Sequence, residues 1–434
     1  MIWLYRLFFP LLFLIGLPYY LTRMWRRGGY RKMMSSRFGG VEVVPRRSGI
    51  RRIWIQAVSV GELLAIETLV KRLSEMPDIE LVITTTTSTG YALAKEKYGG
   101  LAVLISAFPL DFWPVMSRTW NRIQPDLAII TEGELWPEHI RAAKSRKIPL
   151  ILINARLSDR SYRRMGKFRA LQSLFYANIT HIAASSELDA QRIRDLGYPD
   201  VKLSIAGNLK FDVVDPKGMD EAEKDQLIEE TGFSGADGGK IVIGASTWPG
   251  EEELLIKACS ELRRKGLSVQ LLLVPRHAER RGEIREMLKK QPDTAWSFRS
   301  HPDWVQSLEG SETLKIYVGD TTGELRKFIQ LADVAVIGKS FPPHLQGQTP
   351  VEAVALGTPV VYGPSMTNFR AICADLEQNG GAIRIREVEQ LTPSLESLLK
   401  DEKERLRMKE AARSVFEKSR GSTERTLALI KSYF

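Results

Sequence analysis

Residues 53–62 read Ile53-Trp-Ile-Gln-Ala-Val-Ser-Val-Gly-Glu62 and join an apolar run to a helical pattern that begins near Leu63. The run Ile53–Val58 predicts a buried strand, and a strand that passes directly into a helix is the unit of parallel α/β sheets. Glu62 stands on this turn beside a glycine that lets a substrate approach the backbone. An α/β enzyme would place a general base at such a turn.

A structural explanation of the same tetrapeptide competes with the catalytic one. Ser59 and Glu62 have the spacing of a capping box, in which two side chains satisfy the first N–H groups of a helix. Four residues are a weak signal by themselves. The rest of the chain therefore has to decide between a helix cap and a base.

Apolar runs alternate with helical patterns in two series, separated by the acidic, glycine-rich segment 215–239. This alternation predicts two doubly wound α/β domains, whose ligands bind beyond the carboxyl ends of parallel strands. A last helix, capped by Ser422, is predicted to close the chain. The predicted strands are Ile53–Val58, Glu80–Thr84, Ala102–Ile105, Leu127–Thr131, Leu150–Asn154 and His181–Ala184, then Lys240–Gly244, Ser268–Val274, Lys315–Gly319, Val334–Gly338, Pro359–Tyr362 and Ala382–Arg384.

The net charge of +10 is confined to the amino terminus. Residues 1–52 hold eleven Lys and Arg against one acid, Glu42, so the rest of the chain is neutral and no nucleic-acid-binding surface is expected. The basic residues follow the apolar stretch Leu7–Leu21, which has aromatic flanks. This order disfavours a cleaved signal peptide and predicts a membrane anchor with the body on the cytoplasmic side.

The anchor can act in two ways. Its apolar stretch of about fifteen residues is shorter than the roughly 20 that a spanning helix needs. The helix therefore either spans the bilayer with its flanks or lies in the interface.

Acidic and polar residues follow the predicted strands of the first half. Glu132 and Glu134 come after Leu127–Thr131, and Asn154 and Arg156 come at the end of the next strand. Acids dominate these loops, and this suits a hydroxyl acceptor whose proton must be removed.

Cations and small residues follow the strands of the second half. The pair 276–277, Arg-His, suits a phosphate or carboxylate, although a solvated charge cluster would have the same sequence. The pair 246–247, Ser-Thr, precedes a helix expected to start near Pro249, where an anion site and an ordinary capped loop both fit. Thr349 and Glu352 repeat the capping-box spacing, but Glu352 could equally accept hydrogen bonds from ribose hydroxyls.

Several enzyme classes are disfavoured by missing motifs. The chain has neither the Gly-x-x-x-x-Gly-Lys-Ser/Thr loop of ATPases nor the Gly-x-Gly-x-x-Gly turn of dehydrogenases. Its two cysteines and five scattered histidines have no metal-ligand spacing, and no Asp-x-Asp pair could hold a metal on a diphosphate. We therefore expect no cofactor and a metal-independent reaction.

Eight stretches together resemble the 3-deoxy-D-manno-octulosonic acid (Kdo) transferases of lipopolysaccharide assembly, in matching order over nearly the whole chain. One such motif would be weak, but eight in register are specific. They are Ala57-Val-Ser-Val-Gly-Glu62, Glu132-Gly-Glu-Leu-Trp-Pro137, Asn154-Ala-Arg-Leu-Ser158, Gly207-Asn-Leu-Lys-Phe-Asp212, Gly244-Ala-Ser-Thr247, Pro275-Arg-His277, Gly319-Asp-Thr-Thr-Gly-Glu324 and Pro350-Val-Glu352.

The resemblance implies a GT-B architecture, with two Rossmann-like domains facing across a cleft, and inverting transfer of Kdo from CMP-Kdo to a lipid A precursor, lipid IVA. By position, Glu62 matches the family's general base, and Glu132 and Lys210 match residues that stabilise the transition state. The matching CMP-binding residues are Pro275, Arg276, Thr322, Gly323, Glu324, Thr349, Pro350, Val351 and Glu352. Further candidates are Ser246, Thr247 and His277 for the donor's phosphate or sugar, and Glu134, Asn154 and Arg156 on the acceptor side.

The resemblance also assigns regions and partners. The expected partners are CMP-Kdo, the lipid A precursor and the membrane, at the cytoplasmic side of the inner membrane, without nucleic acid. The expected regions are an anchor (1–26), an acceptor-binding domain (27–212), a linker (213–239), a CMP-Kdo-binding domain (240–414) and a helix that packs back on the first domain (415–434).

The chain departs from the family where histidines are common. Gln56, Trp248, Gln348 and Ser365 occupy such positions, and Thr349 replaces an asparagine. A divergent GT-B transferase with another activated sugar or another acceptor therefore stays open. So does a membrane-tethered scaffold that kept the fold and lost the chemistry.

Overall fold

The computed structural model describes residues 1–27, 33–167, 169–198, 201–233, 239–310, 312–344 and 346–434. Arg31 and Lys32 of the predicted basic segment and residues 234–238 of the predicted linker lie outside this range. The chain divides into two compact units. Unit 1 contains residues 1–213 and 419–434, and unit 2 contains residues 214–418.

Unit 1 is built around a seven-stranded parallel sheet. Its strands are β1 (Arg51–Gln56), β2 (Ile79–Thr85), β3 (Leu104–Ala107), β4 (Leu127–Thr131), β5 (Leu150–Ala155), β6 (His181–Ala184) and β7 (Lys202–Ile205). The order β3-β2-β1-β4-β5-β6-β7 makes it a doubly wound, Rossmann-like sheet, as predicted. The sequence did not predict β7, because this short edge strand has no fully buried residue and therefore no continuous apolar run.

Strand β1 is central in this sheet and buried on both faces, which its continuous apolar sequence predicts. Trp54 packs against Trp120 and His139 on one face, with ring centroids 5.2 and 4.6 Å away. Ile53 and Ile55 belong to the hydrophobic cluster on the other face. Each fully buried side chain of this size contributes about 1.5–3 kcal/mol relative to exposure. The position of the strand end, and hence of the turn that follows it, is thereby set.

Helices cover both faces of the unit 1 sheet. They are α1 (Ile2–Arg27), α2 (Met34–Arg37), α3 (Val60–Ala65), α4 (Glu67–Ser74), α5 (Ser88–Tyr98), α6 (Trp113–Ile123), α7 (Pro137–Ser145), α8 (Asp159–Lys167), α9 (Arg169–Phe175) and α10 (Glu187–Asp195), with a 3₁₀ turn at Leu209–Phe211.

The predicted anchor forms helix α1, which contacts the loop after β3 and the start of α7. Tyr5 Oη donates a hydrogen bond to Asp111 at 2.8 Å, and Arg6 forms an ion pair with Glu138 at 2.6 Å. No helix in the described parts of the chain is both long and apolar enough to cross a bilayer. The side chains facing away from unit 1 are nevertheless apolar at helical spacing, and they are exposed: Trp3, Leu4, Leu7, Phe8, Leu11, Leu12, Leu14 and Ile15.

Unit 2 is built around an eight-stranded sheet that is parallel except at one edge. Its strands are β8 (Lys240–Thr247), β9 (Val269–Pro275), β10 (Thr294–Phe298), β11 (Val305–Gln306), β12 (Leu314–Val318), β13 (Val334–Ile337), β14 (Val360–Tyr362) and β15 (Ala382–Arg384). The order is β11-β10-β12-β9-β8-β13-β14-β15. β10 and β11 were missed, because β10 alternates buried and partly exposed residues and β11 has only two residues.

The helices of unit 2 follow its strands in alternation. They are α11 (Glu221–Thr231), α12 (Glu251–Arg264), α13 (Arg281–Leu288), α14 (Leu325–Ile329), α15 (Val351–Leu356), α16 (Arg370–Gln378), α17 (Leu391–Lys400) and α18 (Glu402–Ser419).

The last helix, α19 (Ser422–Lys431), belongs to unit 1. Its cap is Gly421, at φ 79°, and the prediction that Ser422 caps it is wrong. Asp212 provides the capping carboxylate from far along the chain, accepting hydrogen bonds from the N–H groups of Gly421 at 2.8 Å and Thr423 at 2.5 Å. Leu427 and Ile430 of α19 join the same hydrophobic cluster as Ile53 and Ile55 of β1.

Asp212→Ala removes the carboxylate that caps α19. We expect the free energy of unfolding to fall by about 1–2 kcal/mol, because two helix-terminal N–H groups lose their acceptor. Urea denaturation measures the change. Asp225→Ala, at an exposed position of α11, is the matched control and should stay within about 0.5 kcal/mol of the parent. Equal stability of the two variants would contradict the capping role of Asp212.

Candidate functional site

The carboxylate of Glu62 turns back toward the ends of two central strands. Ser59 caps helix α3, its hydroxyl accepting the Glu62 N–H at 3.4 Å. The Glu62 carboxylate does not complete the capping box. One of its oxygens accepts a hydrogen bond from Val58 N–H at 2.8 Å and lies 2.5 Å from Thr131 Oγ1. Ser59 therefore caps α3, and the carboxylate of Glu62 is held at the strand ends by Val58 and Thr131.

The environment of Glu62 stabilises its protonated form more than water does. The residue is 7% exposed, and burial raises the pKa of Glu62 to about 7, although the hydrogen bonds from Thr131 and Val58 oppose the increase. The negative charges of Glu132 and Glu134 raise this pKa further. A carboxylate with a pKa near the working pH is well suited to accept a proton from a substrate.

A second group of predicted residues meets beside Glu62 at the carboxyl edge of the sheet. Glu132 follows β4 in a left-handed backbone conformation, φ 59°. Lys210 Nζ lies 2.7 Å from one of its carboxylate oxygens, and Arg156 lies 3.9 Å from the other. Asn154, also left-handed at φ 50°, donates its amide to Glu132 at 3.4 Å and accepts the backbone N–H of Leu209. Loops after β4, β5 and β7 thus build one charged network.

Strained backbone accompanies these residues. Non-glycine residues with positive φ are uncommon, and they persist where surrounding contacts hold them. Three predicted site residues adopt this conformation: Glu132 and Asn154 in unit 1 and Ser246 in unit 2. Lys339, which follows β13, adopts it as well. Glu134, in contrast, is exposed on the loop after Glu132 and acts on Glu62 through its charge.

In unit 2, two buried glutamates organise the loops after the strands. Helix α12 begins at Glu251, two residues after Pro249, and its cap is Gly250. The Glu251 carboxylate accepts four backbone N–H groups: those of Trp248, Lys339, Ser340 and Phe341, at 2.7–3.1 Å. It thereby fastens the loop after β8 to the loop after β13.

The neighbouring Glu252 joins the end of β8 to the turn after β9. Thr247 Oγ1 donates to its carboxylate at 2.8 Å, and Arg280 forms an ion pair with it at 2.8 Å. Thr247 and Ser246 are both buried. The hydroxyl of Thr247 therefore serves the internal framework, and its predicted contact with a donor phosphate stays a prediction.

Arg276, Arg326 and Glu352 lie close enough to interact electrostatically. Burial raises the pKa of Glu352, and the positive charges of Arg326 and Arg276 oppose the increase. Thr349 Oγ1 accepts the Val351 N–H at 3.3 Å, so no capping box forms here either. Within the described parts of the chain, no hydrogen bond to the Glu352 carboxylate contributes to its pKa.

The loop after β12 presents the remaining CMP-binding candidates. Thr322 and Gly323 are exposed, and Gly323 requires its positive φ of 88°. Glu324 forms an ion pair with Arg299 at 3.2 Å and accepts a short hydrogen bond from Thr321. Burial would raise the pKa of Glu324, but these bonds hold it below its usual range.

The structure adds four residues that the sequence did not single out. Thr131 contacts Glu62, Glu251 fastens the unit 2 loops, and Arg326 and Lys339 bring cations to the carboxyl edge of the unit 2 sheet. Thr131 is the last residue of a predicted strand and Lys339 directly follows another. Because ligands bind beyond the carboxyl ends of parallel strands, both could have been found from the sequence. Glu251 and Arg326 lie on helices, and only the fold brings them to the loops.

The family comparisons match both units. The family described as "3-Deoxy-D-manno-octulosonic-acid transferase (kdotransferase)" matches residues 32–213, and "Glycosyl transferases group 1" matches residues 250–415. A 3-deoxy-D-manno-octulosonic acid transferase of Haemophilus influenzae is 34% identical over 93% of this chain and 92% of the relative. A protein of the same name from Bordetella pertussis is 31% identical over 94% of this chain and 95% of the relative.

Solved structures support the fold alone. A UDP-GlcNAc 2-epimerase from Neisseria meningitidis superposes with a TM-score of 0.57 over 88% of this chain and 100% of that chain, at 14% identity. A glycosyltransferase from Rickettsia africae superposes with a TM-score of 0.58 over 89% of this chain and 99% of that chain, at 12% identity.

Glu62→Gln should stabilise the protein at alkaline pH. With a folded pKa of about 7 and an ordinary value of 4.5, Glu62 keeps a proton in the folded state that the unfolded chain loses, so the parent becomes less stable as pH rises through that window. A glutamine at this position does not ionise, so the stability of the variant does not fall with pH in this way. We expect it to exceed the parent by up to about 3 kcal/mol at pH 8, with the difference closing below about pH 4.5.

Urea denaturation at both pH values measures this difference. Glu96→Gln, exposed on α5, is the control and should show no such pH-dependent gain. A Glu62→Gln variant less stable than its parent at every pH would assign Glu62 to helix capping.

Proposed function

Because the chain belongs to the 3-deoxy-D-manno-octulosonic acid transferase family and is a glycosyltransferase, we propose that it transfers Kdo from CMP-Kdo to a hydroxyl of a lipid A precursor. The predicted family and the prediction of an enzyme are confirmed, and a scaffold without activity is set aside. The GT-B arrangement of the two units across a cleft is part of this proposal.

The single observation that carries the proposed mechanism is the buried carboxylate of Glu62. Its pKa near 7 lets it take the proton of the attacking acceptor hydroxyl at neutral pH. The hydroxyl oxygen forms a bond to the anomeric carbon of Kdo, and the bond from that carbon to the CMP phosphate oxygen breaks. CMP leaves as an anion, and attack on the face opposite to it inverts the anomeric centre.

The Glu132–Lys210 network supports this step electrostatically. Lys210 offsets the charge of Glu132, so the position next to Glu62 carries a paired carboxylate instead of a second free base. A fixed dipole of this kind stabilises charge that develops during transfer without having to reorganise. Asn154 and Arg156 hold the Glu132 side of the pair and would border the acceptor.

The donor is proposed to bind unit 2. Arg276 and Arg326 can neutralise the phosphate of CMP, and the carboxylate of Glu352 can accept hydrogen bonds from the ribose hydroxyls. CMP-Kdo carries a single phosphate, which cations and backbone N–H groups can hold. The proposed reaction therefore uses no metal.

A lipid acceptor agrees with the amino-terminal helix. The exposed apolar stripe of α1 would lie in the interface of the inner membrane's cytoplasmic leaflet, next to the basic residues that follow it. Polar contacts from Tyr5 and Arg6 fasten this helix to unit 1. The proposed location brings the acceptor-binding unit to the surface where a lipid A precursor resides.

One observation favours an acceptor that differs from lipid IVA. Gln56, where the family commonly has histidine, is 1% exposed, and neither atom of its amide has a hydrogen-bond partner in the described parts of the chain. A buried amide without partners is unfavourable, so the end of β1 differs here from the pattern with histidine. The second candidate function is thus Kdo transfer to a related acceptor.

Product mass spectrometry tests both candidates. The purified protein is incubated with CMP-Kdo and a tetraacylated lipid A precursor, and the product mass should increase by whole Kdo units. Product formation only with another acceptor would favour the second candidate. Inertness with CMP-Kdo toward every acceptor, alongside turnover of a UDP-sugar or CMP-sialate, would overturn both.

Glu62→Gln should lose activity without losing donor binding. Removal of a general base lowers kcat by about 10²–10⁴-fold, whereas the Kd of CMP, measured by calorimetry, should stay unchanged because CMP binds unit 2. The parent's kcat/KM should rise with pH up to about 7 and then level, following the ionisation of Glu62. A variant with parental kcat would show that another group is the base.

Glu132→Gln should shift the pH profile of the remaining activity. Because the negative charge of Glu132 raises the pKa of Glu62, its removal should move the rising limb of kcat/KM to lower pH. Glu96→Gln on the surface of α5 should leave the rising part of the kcat/KM profile at the same pH. A shift of this rising part to higher pH in Glu132→Gln, or no shift, would contradict the electrostatic coupling of the two carboxylates.

A further inference from the structure

Lys339 adopts a backbone conformation that suits glycine better than lysine. It follows β13 directly, with φ 58°. Its N–H donates to Glu251 at 2.7 Å, and its carbonyl accepts the N–H of Gly347 at 2.7 Å. The surrounding loops therefore hold this residue in a left-handed conformation that glycine would adopt without strain. A lysine is kept here although glycine would avoid the backbone strain.

The ammonium of Lys339 lies on the face of Trp248. Its Nζ is 4.1 Å from the ring centroid, a distance typical of a cation–π contact. Among the described residues, no carboxylate lies within the 4.0 Å that defines an ion pair with Nζ. The ring holds the cation in place on one side and leaves its N–H donors for an anion.

This cation belongs to the edge of the sheet that the proposed donor would occupy. Trp248 follows β8, Lys339 follows β13, and β9, which precedes Arg276, is the other neighbour of β8. The ring of His277 lies 5.3 Å from that of Trp248. Two long cationic side chains therefore flank the end of β8, on strands spaced about 10 Å apart, and both can reach one ligand.

We propose that Lys339, supported by Trp248, binds the carboxylate that Kdo carries on its anomeric carbon, while Arg276 binds the phosphate. The assignment rests on the proposed function, because it requires CMP-Kdo as the donor. It makes Lys339 the residue that distinguishes an activated 2-keto sugar acid from a nucleotide sugar without a carboxylate. CMP itself has the phosphate and lacks this carboxylate, so the two contacts can be separated.

The test compares Lys339→Gly with Lys147→Gly. Lys147 is an exposed lysine with nearly the same backbone angle, φ 57°, and it lies in unit 1. Both substitutions relieve the same backbone strain, but only one removes the proposed contact. Lys339→Met is a further variant that keeps the apolar stem on Trp248 and removes the charge.

The measurements are the KM for CMP-Kdo, the Kd of CMP and the melting temperature. Lys339→Gly and Lys339→Met should raise KM about tenfold to a hundredfold, the range for one lost hydrogen bond to a charged group, with the Kd of CMP within about twofold of the parent. The melting temperature of Lys339→Gly should not fall. Lys147→Gly should change neither KM nor Kd.

Two results overturn the assignment alone. An unchanged KM in both Lys339 variants would show that Lys339 does not bind the donor, and a parallel loss of CMP affinity would assign it to the phosphate. Absence of CMP-Kdo turnover in the unaltered protein would overturn the proposed function and this assignment together.

Discussion

The hydrogen bonds that hold the Glu62 carboxylate at the end of β1 are the interaction on which the site of unit 1 depends. Val58 N–H and Thr131 Oγ1 bring one carboxylate oxygen to the junction of β1 and β4, the central strands of the sheet. The location is buried, so the pKa of Glu62 rises to about 7. A surface carboxylate on the same turn would be ionised and a weak base at neutral pH.

Charge around this carboxylate is balanced by the loops of neighbouring strands. Glu132 raises the pKa of Glu62, and Lys210 pairs with Glu132 at 2.7 Å. Parallel strands make this balance possible, because all their carboxyl ends meet at one edge of the sheet. The carboxyl edge of the unit 2 sheet has a different composition. There the buried carboxylates of Glu251 and Glu252 accept hydrogen bonds that fasten the loops. The charged side chains beside them are the cations Arg276, Arg326 and Lys339.

The sequence was most informative where apolar runs are continuous. All twelve predicted strands are present within a few residues, because a strand buried on both faces has a nearly continuous apolar sequence. The edge strand β7 and the alternating β10 lack that signal. Helix starts were less predictable. Gly421 caps α19 with help from Asp212, although Ser422 is the better cap by residue type.

Three kinds of information came from the sequence by itself: two α/β units, the loops that hold the candidate site residues, and the family to which eight ordered motifs point. These depend on local patterns and on order along the chain. Only the tertiary structure showed that the Glu62 carboxylate accepts hydrogen bonds from Thr131 and Val58 instead of completing a capping box. It also showed that the ammonium of Lys339 lies over the ring of Trp248. The reason is physical: the pKa of a carboxyl and the direction of a lysine depend on burial and on partners distant in sequence, which folding alone brings together.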